Sequence, residues 1–548
     1  MQPYNLDEIP FSMAGSFLTI SSLSTSSGSR LAYRTCSSKA ISRKDLPYSA
    51  NDFFEIALSR DGSEVPYQWT ARPDRLDLIT AGDGSATFVF ADPETILFRT
   101  RGVGLQLLPA KPFASAWQPD KHQLHLIDYP ARGIHQLRAG QGTQLTFQIE
   151  PTVFGLAQHH HDLPRKVNFM GEDGAEGALR FSRHETLWKN PLGDFDECLT
   201  DREQDYGRWA ERLARVPSAY QETAEQAWFL IWNCQVPAEG VLTRPAIYMS
   251  KFWMNSIWAW DNCFNALAVA RADPDLAWQQ LLLFFDHQNP QGMVPDMLND
   301  LEAIYAFTKP PIHGWTIRKL VEILGPKRCL PYLTQIYRPL SKLVEWWYTL
   351  RDFDADGMPQ YHHGNDSGWD NATVFDQGFP TEGADLAAFL VLQCETLAYI
   401  AQMLGKEKSA TRWQDKAKHQ LHFLLKKGVT AGRFFAPLDG ASDAPEAHSL
   451  LNYLPILLGK RLPETPHHRP VRRPGPRRPI SDGLGLCFRI TPQSKVRAGW
   501  ILARPDLGPF DLPDSGWPDR CRKVGTRPHG GRTVLRPVRR TPGFLGEL

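Results

Sequence analysis

Apolar and polar residues alternate along the first 205 or so positions, with Gly, Pro and Asp turns between the alternating runs. The clearest runs are Ala86–Pro109, His122–Tyr129 and Thr143–Glu150. Short strands at such spacing predict an N-terminal β-sandwich. From about Tyr206 the period becomes helical. Tyr220–Val236, Asp275–Asn289, Trp315–Pro326, Cys329–Asp352 and Asp385–Gly405 carry apolar residues at three- and four-residue intervals. Gly325 followed by Pro326 marks a helix exit. Several of these helices are apolar over much of their circumference, so they are expected to be buried on two sides. A double-layered helical barrel does that; a simple bundle does not.

Connections between these helices are long and rich in Trp, Asp, Asn and Gly, and loops carried on a rigid scaffold are where function concentrates. Three stand out: Lys251–Ala268, with Trp253, Trp258 and Trp260 close to Asp261; Asn289–Asp300 with Phe307–Trp315; and Asp352–Phe375. Sugars present flat C–H faces and a rim of hydroxyls, so a saccharide pocket wants indoles together with Asp, Asn, Gln or Lys. Any one Trp is as readily core packing; the coincidence of three loops in a chain with 17 tryptophans is the stronger signal. Glycoside hydrolysis needs a carboxylic acid to protonate the leaving oxygen and a second carboxylate as nucleophile or base. Asp370 is the candidate acid, with Trp369 beside it expected to limit its hydration and raise its pKa; an N-cap or turn role is the structural alternative.

The ordered set WAWDNCFNALA (Trp258–Ala268), QGMVPD (Gln291–Asp296), KPPIHGW (Lys309–Trp315) and NDSGWDNA (Asn365–Ala372), followed by the apolar helix from Asp385, resembles the inverting glycosidases with an (α/α)6 barrel. That group includes the mannosylglycerate hydrolases, the bacterial relatives of mannosyl-oligosaccharide glucosidase and, more distantly, the trehalases. The resemblance runs from about Tyr206 to Lys460. It implies Asp370 as general acid, and a sugar subsite of Asp261 with Trp258, Trp260, Gln291, Lys309 and Trp315; Trp369, beside Asp370, is a further substrate-binding candidate. It also implies a β-sandwich ahead of the barrel, a carbohydrate substrate and no redox or nucleotide cofactor. The domains expected are a sandwich over 1–205, a partial barrel over 206–463 and a tail over 464–548.

Composition changes this picture at two places. Asp352, Asp354 and Asp356 before Gly357 resemble a calcium loop, and some relatives hold calcium in a similar turn. Position twelve is His363 rather than a bidentate Glu, so a plain acidic turn is the favoured reading. His159–His161 lack partners at ligand spacing and are expected in a solvated loop. The second place is the end of the chain. From Thr465 to Leu548 there are 17 Lys and Arg against 6 Asp and Glu, with 13 prolines, although the whole chain is balanced at +1. A nucleic-acid arm is not expected, because interleaved aromatics and a binding fold are missing.

The family's general base, a glutamate in an E-N-[FY]-[DN] motif downstream of Y-W-R-G-P-[IV]-W, does not occur in this sequence. Dropping the first base of each codon from Trp500 onward permits G-Y-W-R-G-P-I-W-A-P. The same shift permits S-E-S-P from Phe488 and E-N-F at Gly546–Leu548. A frameshift between about Arg461 and Cys487 is therefore expected, leaving the barrel incomplete at its C-terminal end and turnover impaired. The rival readings are a non-catalytic sugar-binding remnant and another reaction on the same scaffold. Phosphorolysis is one; epimerisation is another, and would call on His313, His362 or His363. Eight cysteines without a C-x-x-C pair, and an N-terminus without basic and apolar signal regions, give a cytoplasmic expectation. No apolar run of membrane-spanning length is apparent, so no membrane association is expected.

Overall fold

The alternating runs fold into two antiparallel sheets. The computed structural model describes residues 2–22, 30–37, 51–430, 433–434 and 449–463, apart from 112, 114, 129–130, 155–158, 185–187, 189–190, 253 and 377. Trp253 and the Arg- and Pro-rich tail lie outside the described residues. One sheet orders its strands Leu18–Ser21, Leu31–Thr35, Asp52–Arg60, Gly104–Pro109, His159–Met170 and Gln144–Phe154, with Ser63–Val65 pairing off Asp52–Arg60. The other runs Ser115–Trp117, Gln123–Asp128, Gly133–Ala139, Glu176–Ser182, Thr95–Arg101, Ser85–Asp92, Leu76–Thr80 and Tyr67–Ala71. Aromatic side chains interlock between them: Phe98 meets Phe169 at 4.9 Å and Phe53 meets Phe181 at 5.1 Å between ring centroids.

Two expectations change here. His159–His161 open a strand paired to Thr152–Phe154 instead of forming a loop. The β region closes at Ser182 and the first helix, α1 (Phe195–Ala210), begins well before Tyr206. This helix is polar over most of its surface and buries only Phe195 and Trp209, so its period is faint in the sequence. Its start is set by Asp194, whose carboxylate accepts from the backbone N–H groups of Asp196 and Glu197.

The helices that follow are α2 (Gln221–Asn233), α3 (Asp261–Val269), α4 (Pro274–Asp286), α5 (His313–Leu324), α6 (Pro326–Leu350), α7 (Ala384–Met403) and α8 (Glu407–Lys427). Two of the starts have a clear local cause. Asp273 caps α4 ahead of Pro274, and Gly325 at φ +83° turns the chain from α5 into α6, which opens on Pro326. The apolar helix α7 packs against α5, α6 and α8. By length and composition α7 is apolar enough to cross a membrane, against the sequence expectation; 78% of its most apolar stretch is buried by the rest of the protein. The β-rich and helical regions share one continuous hydrophobic core.

Buried polar contacts fasten the N-terminal segment to the loop that precedes α3. Lys251 Nζ donates to Ser12 Oγ at 3.1 Å and to the Met13 carbonyl at 2.8 Å. Asn255 donates to the Cys36 carbonyl at 2.7 Å. Burial brings the Lys251 ammonium down to about 8. The sandwich thereby fixes the loop that delivers Trp258, Trp260 and Asp261.

Candidate functional site

Asp261 is the first residue of α3, and the two-residue strand Ile257–Trp258 that precedes it pairs with Met297–Leu298. That pairing sets Trp258 opposite Met297, beside Asp296. Asp296 is buried, and its carboxylate meets Lys309 Nζ at 2.7 Å. Lys309 also donates to the Asn365 carbonyl at 2.6 Å and lies 3.4 Å from its side-chain oxygen. Three distant stretches of chain are thus joined at one ammonium.

The turn carrying Asp370 is built around Asp366. Its carboxylate is buried and accepts from the backbone N–H groups of Thr308 (3.0 Å), His362 (2.9 Å) and His363 (3.2 Å). It also accepts from Arg351 Nη1 at 2.8 Å, at the end of α6. A single 3-10 turn, Gly364–Ser367, follows from this arrangement, with His363 Nδ1 accepting from the Asn365 N–H at 3.0 Å. Gly368 then adopts φ +71°, and a Cβ there would lie 2.3 Å from the indole of Trp260. Glycine at this position lets the turn close against Trp260. The same tightness recurs at Gly364, where a Cβ would lie 2.6 Å from the Asp370 carbonyl oxygen.

The structure therefore brings Trp260, Asp261, Lys309 and the turn of Trp369 and Asp370 together, and adds Asp296, Asp366 and Arg351. Trp260 and Trp315 both contact the exposed ring of Phe264, each at 6.2 Å between centroids. Gln291 is exposed on a turn held by Asn289 and by Gln288, whose amide donates to the Gly292 and Pro339 carbonyls. Among the described residues no hydrogen bond or ion pair links Gln291 to the Lys309 centre. Lys309 is in the centre, but its ammonium is engaged internally.

Asp370 is exposed, so Trp369, itself half-buried, does not withdraw it from water in the way the sequence suggests. Asp261 is a perturbed carboxyl of this centre. Burial pushes it up to about 6, opposed by its own backbone N–H, by Lys309 and by the Trp260 indole, while Asp296 pushes in the same direction as burial. Burial raises Asp296 as well, against the pull of Lys309. A second buried carboxyl behind the turn, Asp385 in the first turn of α7, is also pushed up to about 6 by burial and accepts from Tyr361 Oη at 2.8 Å. His313 is buried against Phe285, and burial lowers it to about 4. Burial and Arg351 lower His362.

Asp352, Asp354 and Asp356 can bring one oxygen each within 4.8 Å of one another, a donor set that suits a hard cation. Within that turn Asp352 accepts from the Asp356 and Gly357 N–H groups, and the Lys427 ammonium pairs with Asp356. A protein cation therefore already balances part of the charge, which fits the acidic-turn reading.

Comparison with known proteins gives the following similarities. Residues 254–470 match the family described as the mannosylglycerate hydrolase MGH1-like glycoside hydrolase domain. Residues 254–470 are thus similar to mannosylglycerate hydrolases. A mannosylglycerate hydrolase of Thermus thermophilus is 28% identical over 161 residues, 26% of this chain and 38% of that protein. The uncharacterized protein YMR196W of Saccharomyces cerevisiae is 25% identical over 199 residues, 34% of this chain and 17% of that one. The chain spans well under half the length of these curated relatives. Among solved structures, the GH63 mannosylglycerate hydrolase of Thermus thermophilus in complex with glucose aligns at 19% identity with a TM-score of 0.34. That alignment covers 41% of this chain and 70% of that one.

Sequence reasoning missed Asp296, Asp366 and Arg351. Each is a buried or nearly buried charge paired to a residue outside its own turn or helix, and a single sequence does not report such pairings. The one available signal was local: His363 and Asp366 stand at capping-box spacing.

Proposed function

We propose that this chain is a glycoside hydrolase by descent, built for inverting exo-hydrolysis of an α-glucosidic or α-mannosidic bond on an (α/α)6 barrel. The observation that carries the reading is the convergence of the Asp370 turn, the Trp260–Asp261 loop and the Thr308–Lys309 loop through Asp366, Lys309 and Gly368. In this reading Asp370 is the general acid, and Trp258, Trp260 and Asp261 receive the sugar, with Trp315, Trp369 and Gln291 at its margin. Exposure of Asp370 suits an acid whose leaving group departs toward solvent.

An inverting mechanism needs a second carboxylate about 6.5–9.5 Å from the first, with a water between them. In this reading that base is encoded in the neighbouring frame beyond about Arg461, and the chain as written turns over slowly or not at all. The thiols of Cys36, Cys234, Cys263 and Cys394, free and buried, support a reducing, cytoplasmic setting. The test is hydrolysis of α-glucosides, α-mannosides and mannosylglycerate by the 548-residue chain and by a frame-restored gene. Multiple turnover by the unaltered chain would refute the impairment. Sugar binding by both chains without hydrolysis by either would favour a binding protein.

A further inference from the structure

Lys309 forms an ion pair with Asp296 Oδ1 at 2.7 Å, and its ammonium donates to the Asn365 carbonyl at 2.6 Å and to Asn365 Oδ1 at 3.4 Å. Its side chain is only 5% exposed. The other cation of this centre, Arg351, is taken by Asp366 and lies over the face of Trp346 at 5.2 Å. His363 meets the turn as an acceptor, through Nδ1. Against these stand the carboxyl groups of Asp261, Asp296, Asp366 and Asp370. Among the described residues of the centre, the two cations are both neutralised internally, and two carboxyl groups have no cation of their own.

We propose that Asp296 is a specificity-determining residue, which by holding the Lys309 ammonium makes the site select an uncharged glycoside over one whose aglycone carries a carboxylate. The inference rests on the sugar-site reading above and deepens it. A ligand carboxylate entering here finds the ammonium already paired and faces half-buried Asp261 and buried Asp296, where Coulombic terms count for more than in water. Asp296 touches Lys309 in preference to the sugar, so it works through that lysine.

Dissociation constants of the full chain for methyl α-mannoside, methyl α-glucoside and mannosylglycerate, measured by titration calorimetry at low salt, test this. The better uncharged glycoside is expected to bind about tenfold or more tighter than mannosylglycerate. Asp296→Asn releases the lysine and should shrink or reverse that ratio, chiefly through tighter mannosylglycerate binding. Lys309→Met, which leaves Asp296 unbalanced, should widen it, so the proposal does not depend on one variant folding. Mannosylglycerate binding as tightly as the uncharged glycosides to the unaltered chain would overturn the inference and leave the sugar site standing. Failure of all three to bind would overturn the sugar-site reading, and the inference with it.

Discussion

Replacing Asp366 by Ala should loosen the Asp370 turn from the rest of the protein. The carboxylate is buried and has four donors, three of them backbone N–H groups and one the Arg351 guanidinium. The side chains of Arg351 and Asp366 are 12% and 1% exposed. Breaking such a pair from one side costs about 3–5 kcal/mol, because the remaining charge stays buried without a partner. Each backbone donor left dry would add about 1–3 kcal/mol, but water entering the vacated space offsets much of that. About 4–5 kcal/mol is the expected total. Asp366→Asn keeps the volume and one good acceptor but turns an amide NH2 toward one of the donors, so about 2–3 kcal/mol is expected. At about 2 °C per kcal/mol for a large domain, the Ala variant should melt about 8–10 °C lower. Denaturation followed by tryptophan fluorescence gives the total, and hydrogen exchange at Thr308, His362 and His363 locates it. A double variant with Arg351→Met should cost clearly less than the two single changes added together. A loss below about 1 kcal/mol for Asp366→Ala, or unchanged exchange at the Thr308 amide, would refute the reasoning.

Asp385 gives a pH test. Burial raises it from 3.8 to about 6, so its contribution to stability is fully present below pH 4 and is lost as the pH rises through 6. That loss is on the order of 3 kcal/mol. Asp385→Asn should therefore be more stable than the parent at pH 7 and nearly equal to it at pH 4; a variant less stable at pH 7 would contradict this. Gly368→Ala drives a Cβ to 2.3 Å from the Trp260 indole at φ +71°, so it should shift Trp260 fluorescence and abolish glycoside binding, and unaltered binding would count against the turn–indole contact. Because Lys427 already pairs with Asp356, millimolar calcium should move the melting temperature by less than about 1 °C, whereas a rise of several degrees would make the Asp352 turn a cation site.

The apolar face of α5 and α6 and the nearly continuous apolar character of α4 and α7 make these helices legible in the sequence without any knowledge of partners. Helices α1 and α8 were not read: they are largely polar, and α8 buries only Ala410, Trp413, Ala417, Gln420 and Leu424. The short α3 reads as loop because its sequence opens on Trp, Asp and Asn. Alternation located the strands, yet the neighbours of Asp52–Arg60 and Gly104–Pro109 come from non-local pairing that no local pattern encodes. In the site, indoles and exposed carboxylates were visible as residue types in suggestive loops. The charges that hold those loops together were not, since Asp296, Asp366 and Arg351 look like surface residues until the fold pairs them.

A single assay reaches the central claim most directly: glycoside hydrolysis by the chain as written, by the frame-restored chain, and by the latter with Asp370→Asn. The account predicts no multiple turnover from the first, turnover with inversion at the anomeric carbon from the second, and a loss of about 100-fold or more from the third. Turnover by the chain as written, or Asp370→Asn as active as its parent, would contradict it.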